Sequence, residues 1–190
     1  MIELNRTQQE AMLLLARNTI AESLKIPGVR ENPDLSDDIY KNKCGAFVTL
    51  HLRGRLRGCI GYIQGVKPIP ETIIDMARAS AFKDPRFPSL RAEEYNAIDI
   101  EISVLSPIEP VTDVKEIVVG RDGLIISRGF NSGLLLPQVP TEQGWDLETF
   151  LQQTCFKAGL SPAAWREKGT KIEKFSAQVF GEKERAGQER

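Results

Sequence analysis

Charge of either sign is nearly absent in the balance: 25 Lys and Arg stand against 26 Asp and Glu, a formal net charge of -1. A protein that lives by gripping phosphate backbones carries a strong basic excess, so nucleic acid is disfavoured as the main partner. No apolar run approaches the roughly 20 residues of a membrane helix, and no membrane partner is expected. The opening Met1-Ile2-Glu3-Leu4-Asn5-Arg6 lacks the basic-then-apolar layout of a signal peptide, so a cytoplasmic location is expected. There is one histidine, and the three cysteines, Cys44, Cys59 and Cys155, follow no zinc-like spacing. They read as free thiols, with no disulfide framework and no metal site. Repeats and low-complexity tracts are missing as well. What is present is ordinary globular material: 190 residues, 41% hydrophobic, enough for a core in a single domain spanning 1–190.

The spacing predicts a first helix with Asn5 as N-cap and Gln8 completing a capping box. Met12, Leu13, Ala16, Ile20 and Leu24 form its apolar face, and Pro27-Gly28 is the expected stop. A polar loop follows to residue 43. Val48, Leu50 and Leu52 then alternate on one strand, and Leu56, Gly58 and Ile60 on the next. An odd turn at Arg53-Gly54-Arg55 would pair Leu52 with Leu56, Leu50 with Gly58 and Val48 with Ile60, turning all six inward. Thr49, His51, Arg57 and Cys59 would then share the opposite face. A second helix is expected from about Pro70 to Ala81, followed by a defined loop through Pro85 and Pro88. Ile98 to Val104 alternate as a half-buried strand. Residues 117–119 and 124–127 read as a hairpin about Arg121-Asp122-Gly123, and Leu134 to Gln138 as a further strand. Asp146 caps a helix stopped at Gly159, a short helix carries Trp165, and Phe175, Ala177 and Val179 face inward on a last strand. The end from 181 to 190 is expected to fray. Hairpins and separate helical blocks predict α+β, a mainly antiparallel sheet with flanking helices.

Chemistry concentrates in Leu56-Arg57-Gly58-Cys59-Ile60-Gly61. Glycines on both sides of Cys59 allow a ligand or another backbone close to the sulfur. Arg57, two residues away on the predicted face, would favour the thiolate, and His51 lies diagonal to Cys59. The alternative is a small buried cysteine, with the glycines serving a bulge or close packing.

This hexapeptide resembles the signature of the AMMECR domain family, named after a human chromosomal region linked to Alport syndrome and midface hypoplasia. The resemblance takes in residues 45–50, residues 82–87, Gly123-Leu124-Ile125-Ile126 and Leu136-Pro137-Gln138-Val139. It continues through Glu142, Trp145, Phe150, Leu151, Cys155, Lys157 to Leu160, and Trp165. Pro140 departs from the pattern, and Cys44 and His51 lie outside it. The resemblance implies an α+β fold of a larger and a smaller lobe with a cleft between them. It brings no established reaction and no known cofactor. It implies two partners by association, a Memo-type metal-binding protein and a radical S-adenosylmethionine enzyme.

The matching polar residues divide by role. Asp84 and Arg86 are expected to pair across Pro85 and lock the loop. Gln138 and Glu142 lie between a strand end and a helix start, where site residues gather. Lys157 complements a helix dipole. Cys155 shares a helix face with Leu151 and Ala158 and is expected in the core, and Trp145 and Trp165 are expected as anchors between lobes. Two functions remain open. One is a Cys59-centred enzyme, or enzyme partner, acting on a small substrate in the interlobe cleft. The other is a non-catalytic adaptor docking the Memo-type protein.

Overall fold

The computed structural model describes residues 3–27 and 31–183. The expected stop at Gly28 and the tail from 184 onward lie outside them. The chain divides into two compact units. One runs to Leu105 and resumes at Gln178; the other spans Ser106–Ala177.

In the first unit, helix α1 (Arg6–Ser23) starts on the predicted capping box, Asn5 Oδ1 accepting from the Gln8 N–H and Gln8 Oε1 from the Asn5 N–H. Strands β1 (Ala46–Leu52), β2 (Arg55–Tyr62) and β3 (Ile98–Leu105) form an antiparallel sheet in the order β2-β1-β3. Ala46, Val48 and Leu50 on β1, with Ile98, Ile100 and Ile102 on β3, are buried in one core. That core also takes α1 and α2 (Ile69–Phe82), through Met12, Leu13, Ala16, Ile20, Ile73 and Ala77. Period-2 burial in β1 leaves Phe47, Thr49 and His51 on the other face.

The hairpin register differs from expectation in an informative way. Val48 faces Ile60 and Leu50 faces Gly58, as the alternation predicts, but His51 faces Leu56 and Leu52 faces Arg55. The turn is the two-residue Arg53-Gly54, both at positive φ, which suits the twist of a hairpin. A bulge between Leu50 and His51 absorbs the extra residue, Arg57. The parity therefore reverses between the turn and the bulge. Leu56, expected in the core, is 41% exposed, and Arg57 is buried instead. Replacing Leu56 by Ala is expected to shift stability by no more than about 0.5 kcal/mol, since nothing closes over it; a denaturant melt checks this.

In the second unit, β5 (Asp122–Arg128) lies between the residues of β7 (Lys171–Gly181) that belong to this unit and β6 (Asn131–Leu135). The short β4 (Glu109–Pro110) also pairs with β7. Helix α4 (Leu147–Lys157) opens on Asp146, which accepts from the Thr149 N–H, and packs Phe150, Leu151 and Cys155 into the unit's core. Trp145 and Trp165 pack on this same core. The hairpin is β5–β6 rather than one about Arg121-Asp122-Gly123. Residues 117–119 form no strand, because the Asp122 carboxylate turns back to accept from the Val118 N–H. The segment expected as strand to Gln138 ends at Leu135 and becomes a short helix, α3 (Gln138–Gln143), with Pro140 buried in it. Along β7, Phe175 is buried but Val179 is exposed and Phe180 takes its place inside. The inward parity changes near Gln178, where the strand passes from one unit to the other.

Candidate functional site

The signature hexapeptide lies on β2, an edge strand of the first unit's sheet. Both of its glycines have a mechanical reason. A Cβ on Gly58 would lie 2.1 Å from the Ser80 carbonyl oxygen, so the glycine lets α2 rest directly on the strand. A Cβ on Gly61 would lie 2.3 Å from the Phe47 ring, which covers this glycine from the neighbouring strand. The space beside Cys59 that the glycines open is thus filled by the fold itself. Gly58→Ala must displace backbone rather than a flexible side chain, and is expected to cost about 2 kcal/mol, read as a lower midpoint in a urea melt.

Arg57 does not serve Cys59. The bulge turns it to the segment after α2, where it is 8% exposed. Its Nε and Nη2 donate to Glu94 Oε1 and Oε2 at 2.9 and 3.0 Å, and its Nη1 to the Pro88 carbonyl at 2.8 Å. Arg57 therefore ties strand β2 to residues 88–94. Glu94, held by Arg57 and by the Arg91 N–H, has its carboxyl pulled below the ordinary value. No local pattern in the sequence announces Glu94, since its partner is 37 residues away.

The cation near the thiol is Arg86. Because β2 is an edge strand and Thr49 faces Cys59 across the hairpin, the Cys59 main chain points outward. The loop at 84–86 meets it there. Asp84 Oδ2 accepts from the Cys59 N–H at 2.9 Å, and Arg86 Nη2 donates to the Cys59 carbonyl at 3.2 Å. Asp84 and Arg86 pair with each other through two bonds, Nε to Oδ1 at 2.9 Å and Nη2 to Oδ2 at 2.7 Å. Arg86 beside it, chiefly, holds the Asp84 carboxyl well below the usual carboxylate range.

Cys59 is half-buried, and its sulfur accepts from the Thr49 hydroxyl at 3.2 Å. Burial pushes the thiol above its ordinary value, while the Thr49 hydrogen bond and the Arg86 charge pull the other way; Asp84 and Glu101 add to the rise. Glu101, which the sequence analysis passed over, faces Thr49 on β3. The signal was its place on the polar stripe Asp99, Glu101, Ser103. One step along, His51 faces Asp99, and both line a cavity of about 220 Å³ with Glu101, Glu182 and Lys183.

The remaining candidates belong to the second unit. Gln138 opens α3, and its Oε1 is buried without a hydrogen-bond partner among the described residues. Glu142 is exposed on the same short helix. Lys157 is exposed in the last turn of α4, where a cation suits the dipole. Cys44 and Cys155 are buried, and burial raises both thiols, Cys44 to about 11.

Fold and site together define a class of small α+β protein in which an edge-strand cysteine is gripped by an aspartate–arginine loop. The model of the AMMECR1 family matches residues 13–180, and the chain belongs to that family. It is 44% identical over 185 residues to a protein of Methanothermobacter thermautotrophicus, covering 94% of this chain and 96% of that one. It is 45% identical over 159 residues to protein MJ0810 of Methanocaldococcus jannaschii, covering 80% and 79%. The crystal structure of the uncharacterized protein PH0010 from Pyrococcus horikoshii superposes with a TM-score of 0.81 at 44% identity, covering 90% of this chain and 89% of that one. The α+β architecture is common to both. No helix among the described residues is long and apolar enough to cross a membrane.

Proposed function

We propose that the protein works through Cys59, as a positioned thiol that reacts with a small electrophilic substrate or carries sulfur for a partner enzyme. The observation that carries this reading is the grip on its main chain. Asp84 and Arg86 fix the Cys59 N–H and carbonyl from the open side of the strand, while the half-buried residue's sulfur accepts from the Thr49 hydroxyl. Cys44 and Cys155 have no such arrangement and lie in the two cores. Arg86, rather than Arg57, supplies the positive charge that favours the thiolate.

The test is alkylation of the folded protein by iodoacetamide, mapped by mass spectrometry across pH. Cys59 is expected to label first, with Cys44 and Cys155 protected until the chain unfolds. Because burial raises the Cys59 thiol, its rate should keep climbing beyond the pH at which an ordinary thiol levels off. Arg86→Gln removes an attractive charge and should move that profile to still higher pH. Labelling of Cys59 no faster than of the two buried cysteines would end the reading. The adaptor function toward a Memo-type metal-binding protein makes the opposite demand: protein fully alkylated at Cys59 would bind that partner unchanged.

A further inference from the structure

An arginine side chain carries five N–H donors in one plane. Arg86 uses three of them within the fold. Its Nε donates to Asp84 Oδ1 at 2.9 Å, and its Nη2 donates to Asp84 Oδ2 at 2.7 Å and to the Cys59 carbonyl at 3.2 Å. The two N–H groups of Nη1 meet no partner among the described residues. Because Nε and Nη2 form the edge that grips Asp84, Nη1 lies with Nη2 on the edge turned to the Cys59 main chain. The guanidinium is held there while its side chain stays 54% exposed, and the half-buried Phe87 ring lies against it, its centroid 5.5 Å from the central carbon.

Asp84 is the opposite case. Its side chain is 2% exposed. Oδ1 accepts from the Arg86 N–H and Nε, and Oδ2 from the Cys59 N–H and Arg86 Nη2, which fills the roughly four acceptor sites of a carboxylate. The spare hydrogen-bonding capacity of this pair is therefore all donor, and it is fixed in place beside the thiol. Glu101, the other acid near the sulfur, stands on β3 with Thr49 between it and Cys59, on the side of the thiol away from Arg86.

Given a reacting thiol at Cys59, as read above, we propose that its substrate is a small electrophile carrying a carboxylate, which Arg86 Nη1 holds beside the sulfur. The carboxylate makes charge-assisted hydrogen bonds to a guanidinium that Asp84 has already ordered, so little freedom is lost on binding. A bond then forms between Cys59 Sγ and the carbon next to the carboxylate. The leaving group departs with the electron pair of its own bond, and the thiol proton passes to water.

Iodoacetate and iodoacetamide test this on the full chain, because both lose iodide in the same displacement and differ only in a carboxylate against an amide. The ratio of their rates at Cys59, read by mass spectrometry at one pH, cancels the thiolate fraction. The urea-unfolded chain supplies the ratio of the unaided thiol. In the folded chain the ratio should rise at least about tenfold in favour of iodoacetate. The iodoacetate rate should also saturate with concentration, and added acetate should slow it competitively. Arg86→Gln should return the ratio to that of the unfolded chain. Should this variant not fold, saturation and acetate competition in the wild type decide alone. A folded ratio no higher than the unfolded one, a raised ratio that acetate leaves untouched, or one that survives Arg86→Gln would overturn the proposal. In each of those cases, iodoacetamide labelling of Cys59 ahead of Cys44 and Cys155 would leave the reacting thiol standing without its carboxylate.

Discussion

Replacing Arg57 by Ala should destabilise the protein by about 3 kcal/mol, because Glu94, largely sheltered from solvent, loses its bidentate partner. Arg57 gives Glu94 a bidentate pair and gives the Pro88 carbonyl its hydrogen bond, and both ions are mostly sheltered from solvent. The reciprocal change, Glu94→Ala, should cost a similar amount, and the double variant less than the sum of the two, since each single change strands the other residue. Urea melts of the three variants form the cycle that measures this coupling. The distinguishing readout is the thiol. If Arg57 is structural, a conservative Arg57→Lys protein that still folds keeps the alkylation pH profile of Cys59, whereas Arg86→Gln moves it.

That contrast marks where the sequence is legible and where it is not. Alternating apolar residues in β1 and β3, the Asn5 capping box and the Asp146 cap are local patterns, and the structure realises them. The bulge at Arg57 is not a local pattern. It arises because a two-residue turn at Arg53-Gly54 must be reconciled with a register that buries Val48, Leu50 and Ile100, and the extra residue goes where the half-buried Glu94 waits. Face arithmetic from spacing alone therefore puts Arg57 beside Cys59 and Leu56 in the core, and both are wrong by one residue. The glycines were readable as close packing or as access to sulfur. Which of the two holds depends on Ser80 and Phe47, whose approach is a tertiary fact. The Asp84–Arg86 pair was legible because Pro85 fixes the two side chains near each other, but its grip on Cys59 depends on β2 being an edge. In the second unit, α3 was missed because six residues interrupted by Pro140 carry no helical period.

Asp84→Asn should lower stability at neutral pH by about 3 kcal/mol, somewhat below the loss of a fully buried partner because Arg86 is half exposed and can regain water. The carboxylate accepts from the Cys59 N–H, the Arg86 N–H and the Arg86 side chain, and an asparagine oxygen can replace only part of that set. The pH dependence follows from the direction of the shift. In the folded protein the carboxyl ionises well below the usual carboxylate range, and in the unfolded chain it ionises near its ordinary value of about 4. Its stabilisation is therefore complete above that ordinary value and is lost as pH falls from there through the depressed folded value. Wild type and Asp84→Asn should differ most above pH of about 5, and the gap should narrow steadily as the pH falls below about 4, closing only once the folded carboxyl itself is protonated. Melts of both proteins across that range test it, and a constant gap at all pH values would mean that Asp84 acts by shape and not by charge. Because the same carboxylate orients the Cys59 main chain, the variant should also lose the selective labelling of Cys59 over Cys44 and Cys155. An Asp84→Asn protein that is destabilised yet still labels first at Cys59 would separate the stability of the edge from the placement of the thiol.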